Sequence, residues 1–392
     1  MTEPKLVLIP SAYKAGTLYS PLPSNGDGDF TFSRATTATR VNKDGFVKDI
    51  NADVPRIDYS DSGCPSLLLE PTRTNSIKHS EDFTDSDWIK YNIGTSLTPI
   101  IEENYAISPD GTLNATRLKL DLDGGTTISD RTFIIQSLTT NTGYYFSVYL
   151  KSNTNTNQKL LWHNGGDISE FEISTEWKRY ELDTTAGSTS WCGLALRGSS
   201  SSVNSADVLI WGFQAEQGTE ATSYIPTATS AATRNQDSCN GAGDATLFND
   251  NEGVLFVETK GFIDIPAANG YIQLSKSGES SFNNSLVIQH RNNGFLRIYA
   301  NGSAGTDLHF NINVDFTQNH KIAVLYKLNG YKLFIDGVAQ SLSGTPTQTV
   351  FSGLDDLSFN LRGSSNWNAK IKDLRYYNTE LTDTELIELT TL

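Results

Sequence analysis

Lys321-Ile-Ala-Val-Leu-Tyr-Lys327, then Leu328-Asn329-Gly330, then Tyr331-Lys-Leu-Phe-Ile335 and Asp336-Gly337 decide how the chain folds. Two apolar stretches are parted by Asn-Gly and closed by Asp-Gly. These dipeptides favour the primed two-residue turns whose twist matches that of paired strands, so the run predicts consecutive antiparallel hairpins. Strand-like segments precede it at Gly253–Lys260, Tyr271–Ser275, Ser285–His290, Gly294–Tyr299 and Leu308–Val314. Ala369–Tyr377, with charges alternating around Ile371, predicts a last strand. Thr382-Asp-Thr-Glu385 is a capping box that opens one short helix ending near Leu389.

Outward from that region the pattern stays in strands. In Tyr144-Tyr-Phe-Ser-Val-Tyr-Leu150, the residues Tyr144, Phe146, Val148 and Leu150 share one face and Tyr145, Ser147 and Tyr149 the other. Thr132–Gln136, Lys159–Trp162, Trp177–Leu182, Leu194–Arg197 and Val208–Gln214 are further strands, parted by Gly/Ser/Asn/Thr loops too short for crossover helices. The Thr-, Ser- and Ala-rich stretch Tyr224–Thr233 marks a boundary. Residues 1–79 read as an extended, turn-rich leader, with a turn cluster at Asn25–Asp29, a short strand at Phe30–Ser33, a hairpin around Asp44-Gly45, and Pro55, Pro65 and Pro71 as punctuation. With little periodic apolar sequence, the leader is expected to lie on a neighbouring domain or subunit. The fold expected is therefore all-β: a leader over 1–79, an antiparallel sandwich over 80–234, and a second antiparallel sandwich over 235–392.

The chain of 392 residues carries 45 acidic and 30 basic side chains, a net charge of -15. That balance repels phosphate backbones, so nucleic-acid binding is not expected. No apolar run approaches the ~18 residues needed to span a bilayer, so membrane insertion is not expected either. The amino terminus lacks the basic region and apolar core of a signal peptide. Cys64, Cys192 and Cys239 lie far apart and without metal-site spacing, which predicts free thiols.

Three resemblances attach to these residues. Trp367-Asn-Ala-Lys-Ile371-Lys-Asp-Leu-Arg-Tyr-Tyr377, Leu381-Thr-Asp-Thr-Glu385-Leu and Leu333-Phe-Ile-Asp-Gly337 resemble laminin-G-like, concanavalin A-like domains. Residues 80–228, from Phe83 and Trp88 through Trp177-Lys-Arg-Tyr180 to Leu209-Ile-Trp-Gly-Phe-Gln-Ala-Glu216, resemble carbohydrate-binding-module jelly rolls. In the leader, Phe32-Ser-Arg34-Ala-Thr, Thr39-Arg40-Val, Val54-Pro-Arg56-Ile-Asp-Tyr59 and Leu67-Leu-Leu-Glu-Pro71 resemble the amino-terminal region of tailed-bacteriophage head-spike, fibre or tail proteins. Together they imply a virion surface protein made in the host cytoplasm. Its leader would meet other virion proteins, and its sandwiches would bind host-surface polysaccharide, in a homo-oligomer whose multivalency raises avidity. A purely structural capsid or tail component is the alternative, and a polysaccharide depolymerase a further one.

Glycan recognition needs flat rings on loops or open strand faces. Trp162 beside His163-Asn164-Gly-Gly166, Trp191 before Cys192, the pair Tyr145 and Tyr149, and Trp367 after Ser364-Ser-Asn are the candidates. Trp177 and Trp211 sit inside apolar strand patterns and read as core. No catalytic residue is expected: the E-x-D-x-x-E strand pattern is absent, Glu170/Glu172 and Glu385/Glu388 read as solvated faces, and His79, His163, His290, His309 and His320 are scattered. No cofactor is required. A structural calcium is possible, without an assignable ligand set; Asp121-Leu-Asp123-Gly-Gly125 and Asp27-Gly-Asp29 read better as turns.

Overall fold

A computed structural model describes residues 2–61, 63–138, 143–164, 169–184, 190–261, 269–279, 282–291, 295–301, 307–328, 330–341, 351–361 and 366–392. Gly165, Gly166, Gly294, Asn329, Ser364 and Ser365, all used in the sequence reading, lie outside the described residues. The structure is nearly all strand, with Asp383–Thr390 its one α-helix among the described residues. The capping box forms as the sequence predicts: Thr382 accepts from the Glu385 N–H, and the Glu385 carboxylate accepts from the Thr382 N–H at 2.9 Å.

Two compact units result, and their boundaries are not those expected. One comprises residues 44–49 and 73–234; the other comprises 1–43, 50–72 and 235–392. The expected leader is thus no separate segment. Most of it is built into the carboxy-terminal unit, and the reason is hydrogen bonding. Short strands such as Leu6–Leu8 and Ser66–Leu69 cannot satisfy their backbone alone, and both pair with Ala369–Tyr377.

In the inserted unit, residues 44–49 and 73–234, ten strands build the sandwich: β1 Ile89–Ile93, β2 Ile100–Ile107, β3 Leu113–Asp121, β4 Arg131–Ser137, β5 Tyr145–Ser152, β6 Gln158–His163, β7 Glu170–Ile173, β8 Lys178–Asp183, β9 Trp191–Arg197 and β10 Ser205–Glu216. They form two antiparallel five-stranded sheets, ordered β1-β4-β9-β6-β7 and β2-β3-β10-β5-β8. Alternate residues of each sheet meet in the core: Ile134, Leu160, Trp162, Leu194 and Leu196 from the first, Leu118, Phe146, Val148, Val208 and Phe213 from the second. This is an antiparallel sandwich, as the Tyr144–Leu150 alternation predicts and as the resemblance to jelly rolls implies.

In the other unit, a sheet runs Val338–Ala339, Gly330–Ile335, Asn319–Lys327, Glu252–Gly261, Ala369–Tyr377, Ser66–Leu69, Ile57–Asp58. The hairpin read from Lys321–Ile335 pairs in register, Ile322 opposite Ile335 and Lys327 opposite Gly330. A second sheet runs Asp307–Asn313, Phe295–Asn301, Ser285–His290, Gly270–Ser275, Asp356–Ser358. Leu255, Val257, Ile322 and Val324 pack against Ile272, Leu286, Ile288 and Ile298 between the sheets. The helix covers the other face of the first sheet, setting Leu386 and Leu389 against Val254, Phe256 and Phe334.

The leader residues that carry the phage-protein resemblance have a structural role here. Arg34 Nη1 donates to Asp237 Oδ1 at 2.9 Å, and Arg56 Nη1 to Glu70 Oε2 at 2.6 Å. Arg56 Nη2 donates to Asp237 Oδ2, which also accepts from the Glu70 N–H at 2.8 Å. All four side chains are fully or almost fully buried. Burial lowers the Arg34 pKa below the usual guanidinium range. At Arg56 burial pushes the same way, but Asp237 and Glu70 outweigh it and the pKa is raised.

His290 lies under Phe316 and near Trp367, ring centroids 4.0 and 6.4 Å away. Burial lowers its pKa to about 4. An unfolded imidazole titrates near pH ~6.5, so between about pH 6.5 and 4 the unfolded chain holds a proton that the native chain does not. Stability is full above that window and falls by roughly 3 kcal/mol as the pH drops through it. His290→Phe is expected to flatten this slope; equal pH slopes for both proteins in urea unfolding would rule the effect out.

Candidate functional site

The outer face of the β1-β4-β9-β6-β7 sheet departs from the usual polar exterior of a sandwich. On β4, Phe133, Ile134 and Ile135 are all buried, so both faces of one strand are apolar. Phe133, Ile135, Leu161 and Ala195 form an outer cluster with Trp191 packed against it. Register explains the grouping. Tyr91 lies opposite Phe133, Phe133 opposite Ala195, and Ala195 opposite Leu161. One row along, Ile89, Ile135, Gly193 and His163 align in the same way.

Rings connect across these rows. The Tyr91 and Phe133 centroids are 5.5 Å apart, and Phe133 stacks on His163 at 5.4 Å with 16° between planes. The strand between them contributes only Ala195 and Gly193. A Cβ on Gly193 would sit 2.0 Å from the Ile134 carbonyl oxygen, so that position admits no side chain and leaves room for the imidazole to reach Phe133. Tyr91 is 50% exposed, on the edge strand β1. The result is an aromatic row, open at Tyr91 and backed by Trp191.

Two of the five expected rings are not available to a ligand. Trp162 is 2% exposed and points into the sandwich core beside Phe146, Phe171 and Phe213. It sits one residue out of phase with His163, and strand alternation sends the two to opposite faces. Trp367 is 1% exposed, its indole N–H donating to Thr259 at 3.3 Å. Trp191 is half-buried in the outer cluster. Tyr145 and Tyr149 do share the outer face of the other sheet. There Tyr145 donates to Glu181 at 3.1 Å, and Tyr149 is flanked by Trp211 at 5.4 Å and the Arg179 guanidinium at 5.6 Å. Trp211 is buried, as its pattern implies, but on this outer face between Tyr149 and Tyr224, not in the core between the sheets. Trp177 is only half-buried, its N–H satisfied by the Ile107 carbonyl at 3.0 Å.

Tyr91, Phe133 and the ligand-side position of His163 are not singled out by the sequence reading. The signal for them is the unbroken run Phe133-Ile134-Ile135 in a strand that ought to alternate.

Among the acids, Glu170 accepts from the Ser202 N–H and hydroxyl and from Lys159. Burial pushes its carboxyl up, but these bonds outweigh it and hold it below the usual range. Glu172 binds the Asn157 amide. The Asp121 carboxylate accepts from the Asp123 N–H inside its own turn, whereas the Asp29 carboxylate accepts from the N–H of Ser20, outside its turn. A grouping outside the sequence reading lies at His79, Asp82 and Asp85, whose ligand atoms all fall within 4.8 Å of one another and could take a metal ion. Cys192 and Cys239 are buried free thiols with pKa values pushed up by burial, and Cys64 is exposed.

No curated protein matches this sequence. Among solved structures the chain is similar to the CBM40 of the Ruminococcus gnavus IT-sialidase bound to alpha2,3 sialyllactose, with 16% identity and a TM-score of 0.32 over 39% of this chain and 94% of that one. It is also similar to domain 4 of AbnA, a GH43 extracellular arabinanase from Geobacillus stearothermophilus, in complex with arabinotriose; there the identity is 16% and the TM-score 0.28, over 44% and 83% of the two chains. A Trypanosoma rangeli sialidase mutant is a third, at 11% identity and a TM-score of 0.30, over 38% and 25%. Within the carboxy-terminal unit, residues 262–387 match the family model of the concanavalin A-like lectin/glucanases superfamily.

Proposed function

We propose that this chain is a bacteriophage virion surface protein whose inserted sandwich binds host-surface glycan through the row Tyr91, Phe133 and His163. The observation that carries the binding reading is a half-exposed tyrosine ring continued by two more rings across an apolar outer sheet face. Flat aromatic surface of this kind accepts the C–H face of a sugar ring, with polar groups at the margin for its hydroxyls. The virion reading is supported by the resemblance of the leader. Because that leader is built into the carboxy-terminal unit, docking on other virion proteins is proposed for the surface of that unit and not for a free arm. No residue is proposed as catalytic; release of reducing ends from host polysaccharide would overturn that.

Tyr91→Ala is the direct test. An exposed ring on an edge strand carries little stability, so unfolding is expected to change by under ~0.5 kcal/mol. Affinity for host polysaccharide is expected to fall about ten-fold, the usual loss for an aromatic anchor. Unchanged affinity in a protein that binds polysaccharide would move the site elsewhere.

An assembly role is favoured by a different observation. Leu97, Ile100, Tyr105, Ile107 and Leu113 are all exposed, on or beside the edge strand β2. Apolar exposure this concentrated marks interaction surfaces. Sedimentation of the intact chain separates the readings: a monomer that binds glycan supports recognition alone.

A further inference from the structure

We infer that the glycan taken by this face is anionic, its acid group held by Arg131. The inference rests on the binding reading above and names its ligand class. On the outer face, the row next to the aromatic one is basic. Arg131 lies two residues along β4 from Phe133, on the same side of the sheet, and directly opposite Arg197 on β9. Lys159 occupies the same face of β6, two residues from Leu161. Like charges directly opposed across a ladder are destabilising, and they stand here in a chain of net charge -15.

The neighbouring acids leave Arg131 unmatched. Glu170 is engaged by Lys159 and Ser202, and Glu172 by Asn157. Asp130, next in sequence, turns its carboxylate to Thr95 and Thr127. Arg131 forms no ion pair among the described residues, and its Nε is buried without a hydrogen-bond partner. A half-buried guanidinium of this kind is suited to a carboxylate or sulfate, which it grips through two parallel N–H bonds. Two residues of strand span roughly 6.6 Å and Tyr91 lies opposite Phe133, so a sugar stacked on the exposed Tyr91 ring would bring a ring substituent within reach of Arg131. The pattern is a stacking row beside a cationic row, which selects a charged sugar over a neutral one.

The test is equilibrium binding of the full chain to a panel of uronic- and sialic-acid oligosaccharides, their carboxyl-reduced neutral counterparts, and a sulfated oligosaccharide. Binding is expected for acidic members, with affinity falling as salt rises. Arg131→Gln is expected to weaken these by roughly 10- to 100-fold, the range for a lost charge-assisted bond, while Tyr91→Ala weakens acidic and neutral members alike. Preference among the acidic members tells carboxylate from sulfate. Equal affinity for the acidic and reduced forms, or an Arg131→Gln protein that folds and binds acidic sugar undiminished, would overturn the inference and leave the binding reading standing. Failure to bind any member would overturn both.

Discussion

Replacing Asp237 with Ala is expected to destabilise the carboxy-terminal unit by roughly 3–5 kcal/mol, the cost of stranding buried charge. Its carboxylate accepts from Arg34, from Arg56 and from the Glu70 backbone, and the side chain is fully buried. Removing it leaves two guanidinium groups facing a single carboxylate, Glu70, in a buried interior. Hydrogen exchange at Leu6–Leu8, Ser66–Leu69 and Ala369–Tyr377 measures the effect, because those strands share ladders with the segments the cluster pins. Exchange should accelerate there and stay unchanged in the inserted sandwich. Wild-type protection throughout would mean that apolar packing alone seats the leader.

Trp162→Ala should cost a similar roughly 3–5 kcal/mol, in the inserted sandwich. The indole stacks on Phe171 at 5.1 Å and meets Phe213 edge-on at 6.1 Å, so its removal opens a cavity between the sheets. Denaturant midpoint is the readout. Sugar affinity of the protein that remains folded should hold, because the ring faces away from the outer surface. A variant of undiminished stability that had lost its ligand would restore Trp162 as a contact.

These two residues also mark what could be read from sequence. The hairpin at Lys321–Ile335, the capping box at Thr382 and the alternation in Tyr144–Leu150 are local, and each appears where its pattern puts it. Trp162 was misplaced because a ring beside Asn and Gly looks like a loop residue, whereas phase along β6 settles its direction. The Asp237 cluster joins residues 181 and 203 positions apart, so the leader's Arg and Glu residues read as surface features until the ladders are known. The aromatic row and the basic row likewise draw on β1, β4, β6 and β9. No window of sequence holds more than one or two of their members, and the overall acidity conceals three cations gathered on one face.

Leu6–Leu8 pairs with Ala369–Tyr377, Leu6 opposite Tyr376, which sets an order on biosynthesis. The ribosome releases Leu6–Leu8 first and Ala369–Tyr377 on the order of tens of seconds later, at ~5–20 residues per second. Meanwhile the sandwich between them has every strand it needs and can close. A message truncated before the last strand would therefore yield a finished inner domain carrying Ser66–Leu69 with Ile57–Asp58 on one side and an open edge on the other, a natural target for chaperones and proteases.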